Sequence, residues 1–137
     1  MLSGSVATVP ATAVTPNQTP TPVVVQAPSS LNPNNGVESA LNQKIPKGSI
    51  LHRIAFCESA KRQFAQDGSV LKGRVDPRDT GIFQVNSYYH LETAKQKGID
   101  IYTVEGNIDY ALDLYNREGT TPWNSSKPCW GRYLATN

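Results

Sequence analysis

The first 37 residues of this 137-residue chain carry no charge, and this limits which part of the chain can fold. No Asp, Glu, Lys or Arg precedes Glu38, and six of the ten prolines lie in residues 1–37. Pro16, Pro20 and Pro22 exclude a regular helix or a central strand from the middle of this segment. We therefore predict a disordered, extended linker over residues 1–37 and one domain over residues 38–137.

The charge and apolar content of the chain exclude several classes of function. The net charge is +2, and Lys61-Arg62 is too small a basic cluster for a nucleic-acid surface. No segment reaches the roughly 18 apolar residues that a membrane span requires. His52 and His90 have no partner at metal-ligand spacing, so neither a metal nor a cofactor is expected. We expect a monomer with no nucleic-acid partner and no membrane span.

Apolar spacing predicts a mainly α (α+β) fold. Helical spacing occurs over residues 37–44, over 49–56 with Glu58 in the last turn, over 88–97 and over 103–119. Residues 69–71 are predicted to pair with residues 63–65 as a short β-hairpin around Asp67-Gly68. The tail from Thr120 onward is predicted to lack helix.

Glu58 is the first candidate for chemistry. It shares a helical stripe with Leu51, Ile54 and Ala55, which should face the core. Burial raises the pKa of a carboxyl group, and a carboxyl that keeps its proton near neutral pH can act as a general acid. The alternative is a solvated glutamate at a helix end.

The apolar segment 81–86, Gly-Ile-Phe-Gln-Val-Asn, is interrupted by two amides. Because a buried amide is costly unless it is hydrogen-bonded, Gln84 and Asn86 are either satisfied core residues or ligand contacts. Two tryptophans in the tail have a similar pair of interpretations, as core residues or as sugar-stacking surfaces. The core interpretation is favoured for Trp130.

Cys57 and Cys129 lack the spacing of a metal site. They are either free thiols of a cytosolic protein or one disulfide of an exported protein. We favour the disulfide, because Cys129 lies in a tail with little else to hold it. Closing such a loop would stabilise the fold by roughly 4 kcal/mol and would fix the tail behind Glu58.

The order of these motifs resembles the lysozyme-like superfamily, and within it the SLT-type lytic transglycosylases. The resemblance covers residues 46–132. Ala-Phe-Cys-Glu-Ser at 55–59 looks like the family's catalytic Glu-Ser, residues 79–87 look like its Gly-Leu-Met-Gln-Ile-Asn motif, and 105–108 resemble the Asn-Ile pair that opens a later helix. The two cysteines resemble those of bacterial resuscitation-promoting factors. The family's Ala-Tyr-Asn motif near the C-terminus is absent.

This resemblance implies an exported enzyme of the cell envelope that cleaves the MurNAc-GlcNAc β-1,4 bond of peptidoglycan. Glu58 would be the catalytic acid and then the base, and Asp79, expected to stay ionised in a polar turn, would be the second carboxylate. The implied substrate-binding residues are Ser59, Gly81, Gln84, Asn86, Tyr89, Tyr110 and Trp123. Ser59 would also form a hydrogen bond with Glu58, and Gly81 would allow the backbone to approach a saccharide closely.

Two further functions stay open at this point. The domain would be a lysozyme-like muramidase, a hydrolase, if Asp79 attacks the sugar or activates water. It would be a glycan-binding module of the envelope if the fold is retained without turnover.

Overall fold

The computed structural model describes residues 32–135, and the folded unit starts at Pro33 rather than at residue 38. The Asn34 side chain accepts hydrogen bonds from the backbone N–H groups of Gln63 and Phe64 at 2.8 and 2.9 Å. Val37 is buried in the core. The predicted linker boundary at residue 37 is therefore too late, and the rest of that linker lies outside the described residues.

The predicted helices are present close to their expected bounds. In chain order the elements are α1 (Val37–Lys44), α2 (Ile50–Ser59), β1 (Asp79–Thr80), β2 (Val85–Asn86), α3 (Ser87–Gln96), α4 (Val104–Glu118), a 3₁₀ helix (Thr121–Ser126), α5 (Lys127–Trp130) and α6 (Arg132–Ala135). The side chains of Asn86 and Thr103 cap α3 and α4, and Gly119 follows the end of α4.

The prediction of a helix-free tail is wrong. Residues 121–130 form the 3₁₀ helix followed by α5, and each begins with a proline in its first turn. A proline is tolerated there, because the N–H group that it lacks would have no partner within the helix. Pro122 and Pro128 therefore start short helices instead of preventing them.

The β structure is richer than predicted. The expected pairing of residues 63–65 with 69–71 is present as one bridge, Phe64 with Val70, with backbone hydrogen bonds from Leu71 N to Gln63 O and from Ala65 N to Ser69 O. The regular hairpin is formed by β1 and β2, with Asp79 opposite Asn86. Sequence patterning missed this hairpin because its turn contains Ile82 and Phe83, which are fully buried rather than polar.

The core joins the helices to the hairpin turn and the tail. The largest fully buried side chains of the core include Leu41, Ile54, Ile82, Phe83, Ile108, Tyr110 and Trp130. The disulfide between Cys57 and Cys129 is present, and Trp130 is a core residue, as predicted. Among residues 32–135, no helix has both the length and the apolar character needed to cross a membrane.

Candidate active site

Six of the predicted site residues meet at one cavity of about 290 Å³. The predicted residues that line it are Glu58, Asp79, Gln84, Asn86, Tyr89 and Trp123. They are joined there by Val85, His90, Leu114, Glu118, Pro122 and Ser125. The cavity, called the cleft below, is thus built by the end of α2, the hairpin, α3, α4 and the 3₁₀ helix.

Glu58 is held at the cleft by the abrupt end of α2. Ala60, two residues after Glu58, adopts a left-handed conformation with φ 56°, and its N–H group donates to Phe56 O. Burial raises the pKa of Glu58, a hydrogen bond from Ser126 lowers it, and the charge of Asp79 raises it further. The net direction is upward, which favours the protonated carboxyl that a general acid requires.

Ser126 was not predicted, although it makes the closest polar contact to the acid. Its Oγ lies 2.5 Å from Glu58 Oε2. Trp130 Nε1 lies 3.0 Å from both Ser126 Oγ and Trp123 O. Because the disulfide joins Cys57, next to Glu58, to Cys129, next to Trp130, the tail is fixed beside the acid.

Ser59 does not take the role predicted for it. Its buried hydroxyl lies 2.8 Å from Ile82 O and 3.2 Å from Ala55 O, and it donates its one hydrogen to the backbone there, with Ile82 O as the nearer acceptor. It also accepts from the N–H group of Arg62 at 3.0 Å. Ser59 therefore ties the end of α2 to the hairpin turn, and the predicted bond to Glu58 is made by Ser126 instead.

Asp79 is held by a network on the hairpin. Asn86 Nδ2 donates to Asp79 Oδ1 at 2.9 Å and to Asp76 Oδ2 at 3.1 Å. The two bonds from the Arg78 guanidinium hold the pKa of Asp76 at about 2. Burial raises the pKa of Asp79, the Asn86 bond lowers it, and the charge of Asp76 raises it, so that the net direction is upward. Asp79 is thus less solvated than the predicted polar turn would leave it, although the hydrogen bond from Asn86 favours its ionised form.

The two amides of the 81–86 segment serve the hairpin as well as the cleft. Asn86 Oδ1 accepts from Tyr88 N at 3.0 Å and so caps α3. Gln84 adopts φ 49°, rare for a non-glycine residue, and its Nε2 donates to Gly81 O at 2.9 Å. Both side chains line the cleft while being bonded within the protein.

Gly81 is required by packing and not by the approach of a saccharide, so that prediction is wrong. The residue is buried with φ 71°, and a side chain there would collide with Gln63 and Asn107. Gln63 Oε1 accepts from Ile82 N at 3.0 Å, and Asn107 Oδ1 accepts from Phe83 N at 2.9 Å. Asn107, part of the 105–108 motif, thus supports the turn from behind.

The three aromatic candidates have three different roles. Tyr89 is 69 % exposed at the cleft and has a ring face available for stacking. Tyr110 is 0 % exposed, so its predicted contact with substrate is wrong. Trp123 lines the cleft but is only 3 % exposed, and its Nε1 donates to Phe83 O at 3.0 Å. Trp123 is therefore a wall of the cleft rather than an open stacking surface.

His90 connects Tyr110 to the cleft. Its Nδ1 lies 3.0 Å from the Tyr110 hydroxyl, so its ring has a hydrogen-bond partner within the protein. Burial lowers the pKa of His90, which favours the neutral ring. Within residues 32–135 no three His, Cys, Asp or Glu side chains cluster in a way that would hold a metal ion.

A larger cavity of about 470 Å³ lies beside α1 and α2 and has different chemistry. Lys47, Arg53, Lys61 and the exposed Phe56 are among its lining residues. Its carboxyl group, that of Glu38, pairs with Lys61 at 3.3 Å and is exposed. This exposed ion pair lacks the burial that surrounds Glu58, so this cavity offers no comparable candidate for a general acid.

No family model matches the chain, and neither a curated protein nor a solved structure matches it at a significant level. The chemistry of the cleft must be inferred from its own groups. These are a carboxyl with a raised pKa, a second carboxyl bonded to an amide, and an exposed tyrosine ring. They place two carboxyl groups in one cleft, an arrangement that suits acid–base chemistry.

Proposed function

We propose that this domain is a peptidoglycan lytic transglycosylase that cleaves the MurNAc-GlcNAc β-1,4 bond. The observation that carries the proposal is Glu58, whose carboxyl has a raised pKa and lines one cleft with Asp79, Gln84 and Asn86. These residues belong to two of the motifs that resemble the SLT-type enzymes. The proposal places the protein outside the cytoplasm, where its disulfide would persist.

In the first step, Glu58 donates its proton to the glycosidic oxygen, and the bond from that oxygen to the anomeric carbon breaks. The burial of Glu58 favours the protonated form that begins this step. Positive charge then develops on the sugar ring. Asp79 lies in the same cleft, and its carboxylate stabilises that charge.

In the second step, the Glu58 carboxylate accepts a proton from the 6-hydroxyl of the muramoyl residue. The oxygen of that hydroxyl attacks the anomeric carbon and gives a 1,6-anhydro product. No water is consumed, and Glu58 is protonated again for the next turnover. Tyr89 offers a stacking surface for a neighbouring sugar ring.

A muramidase is the second candidate, because Asp79 lines the same cleft as Glu58. In that reaction Asp79 either attacks the anomeric carbon or activates water, and one water is added to the product. Asp79 is then essential. In the transglycosylase it is a supporting group.

The test is mass spectrometry of the muropeptides that the protein releases from purified peptidoglycan. The transglycosylase releases 1,6-anhydro products, each lighter by one water than the product of hydrolysis. We expect Glu58→Gln to lower release by about 10²- to 10⁴-fold, the usual contribution of a general acid or base. Glu92→Gln is the matched control, because Glu92 is exposed and does not line the cleft.

Asp79→Asn distinguishes the two reactions. We expect a loss of about tenfold or less in the transglycosylase, since only charge stabilisation is weakened. In a muramidase the loss would approach that of Glu58→Gln. A wild-type protein that binds peptidoglycan and releases no fragments would contradict both and support the binding module.

A further inference from the structure

The Ser126 hydroxyl has more potential hydrogen-bond partners than it has hydrogens. Its Oγ lies 2.5 Å from Glu58 Oε2 and 3.1 Å from Trp123 O, which both accept. Trp130 Nε1, which can only donate, lies 3.0 Å from the same Oγ. Since a hydroxyl has one hydrogen, it can be given to either acceptor but not to both.

This arrangement suits both protonation states of Glu58. When the carboxyl is ionised, Ser126 donates to it and accepts from Trp130. When the carboxyl is protonated, it donates to Ser126, whose hydrogen turns to Trp123 O. Trp130 Nε1 has Trp123 O as a second acceptor at 3.0 Å. The exchange rotates one hydroxyl and requires no movement of heavy atoms.

We propose that Ser126 is a positioning residue that keeps the Glu58 carboxyl in one place whether or not it carries a proton. The role rests on the proposed function, in which a single carboxyl serves as acid and then as base. An enzyme of this kind needs that carboxyl to be equally well oriented before and after it loses its proton.

Neighbouring groups are less suited to this role. The Ser59 hydroxyl, adjacent in sequence, is bonded to Ile82 O at 2.8 Å. The Asp79 carboxylate, when ionised, has no hydrogen to donate. Ser126 is also held in place, because the disulfide at Cys129 and the buried Trp130 fix α5, the short helix that begins directly after it.

The first measurement follows the pKa of Glu58 directly and needs no turnover. The full chain is labelled with ¹³C at the side-chain carboxyl groups of glutamate and aspartate, the Glu58 signal is assigned with Glu58→Gln and the Asp67 signal with Asp67→Asn, and the pH titrations are recorded by NMR. We expect Ser126→Ala to raise the pKa of Glu58, because the bond that Ser126 donates to the ionised carboxyl is charge-assisted and stronger than the bond it accepts from the protonated one, so its loss leaves the effect of burial less opposed. Ser126→Thr keeps the hydroxyl and should restore the wild-type pKa.

Ser69→Ala is the matched control. Ser69 Oγ donates to Asp67 Oδ1 at 2.6 Å in an exposed turn, so this variant also removes a short serine–carboxylate bond. It should raise the pKa of Asp67 and leave that of Glu58 unchanged. The comparison separates a specific effect on the acid from a general effect of removing a hydroxyl group.

The second measurement is the rate of glycan cleavage. We expect Ser126→Ala to lower kcat by about tenfold with little change in KM, and Ser126→Thr to recover most of that loss. An unchanged pKa of Glu58 in a folded, disulfide-bonded Ser126→Ala protein would overturn the inference, and so would an unchanged kcat. If the pKa responds as expected but even the wild type releases no muropeptides, the proposed function fails while the hydrogen bond stands, and Ser126 has no catalytic role.

Discussion

The two carboxyl groups of the cleft are held by different means. The acid side, formed by Glu58, Ser126 and Trp130, depends on a contact between residues 68 positions apart in the chain. The hairpin side, formed by Asp76, Asp79 and Asn86, is bonded between residues 7 and 10 positions apart. One side is assembled by the tertiary fold and the disulfide, and the other is assembled locally.

The two sides also differ in the groups that oppose the effect of burial on the carboxyl pKa. On the acid side, burial is the largest influence and raises the pKa of Glu58, which favours the proton. On the hairpin side, burial also raises the pKa of Asp79, the hydrogen bond from Asn86 lowers it, and the charge of the ionised Asp76 raises it. The pKa of each cleft carboxyl is therefore raised, and the hairpin side differs in that an amide N–H group bonds the Asp79 carboxylate and that the Arg78 guanidinium holds the pKa of Asp76 at about 2.

The largest effect is expected from removing the covalent link of the acid side. The Cys57→Ala/Cys129→Ala double variant opens a loop with a sequence separation of 72 and should lower the free energy of unfolding by about 4 kcal/mol. Urea unfolding measures this loss, and the reduced wild type is the control that should lose about as much. A loss of less than about 1 kcal/mol would mean that tryptophan packing alone holds the tail.

A smaller effect is expected on the hairpin side. Asn86→Ala removes the cap of α3, which should cost about 1 kcal/mol of stability. It also removes the hydrogen bond to Asp79, so the pKa of Asp79 should rise and glycan cleavage should slow. Thermal unfolding and the rate of muropeptide release measure the two effects.

Thr103→Ala is the matched control for Asn86→Ala. Thr103 caps α4 by accepting from Gly106 N at 3.0 Å, and it does not line the cleft. We expect a similar loss of stability with an unchanged rate. Equal rates for the two variants would show that the hairpin network serves stability alone.

The smallest effect is expected behind the cleft. Tyr110→Phe keeps the buried ring and removes the hydroxyl that meets His90 Nδ1 at 3.0 Å. The expected cost is about 1 kcal/mol of stability with little change in cleavage. Tyr89→Ala should slow glycan cleavage with little loss of stability, because an exposed ring contributes little to the core. A large loss of activity in Tyr110→Phe would restore the original prediction that Tyr110 serves the substrate.

Sequence could predict the helices, because apolar spacing is a local property of the chain. It also predicted that Glu58, Asp79, Gln84 and Asn86 share one site, because they belong to motifs that follow one another in a recognisable order along the chain. The disulfide followed from the positions of the two cysteines and the need to hold the tail. These features depend on residue type and spacing, which are properties of the sequence itself.

The remaining features depend on where the backbone turns. Ser59 is next to Glu58 in sequence, but α2 ends there and directs its hydroxyl to Ile82. Ser126 lies in a 3₁₀ helix that two prolines concealed, and no motif marks it. Tyr110 lies on α4, where apolar spacing could not distinguish the core face from the cleft.

The pH dependence of kcat/KM for peptidoglycan cleavage tests the central claim most directly, namely that Glu58 acts with its proton in place. Because burial raises the pKa of Glu58, stability from the protonated form is present at low pH and is lost as the pH rises through that pKa. Cleavage should fall over the same range, above the usual pKa of an exposed glutamate.

Asp79→Asn should move this fall to lower pH, because the charge of Asp79 helps to raise the pKa of Glu58. The alkaline limb of the pH–rate profile should therefore lie at lower pH in Asp79→Asn than in the wild type. Cleavage that instead increases as Glu58 ionises would contradict it.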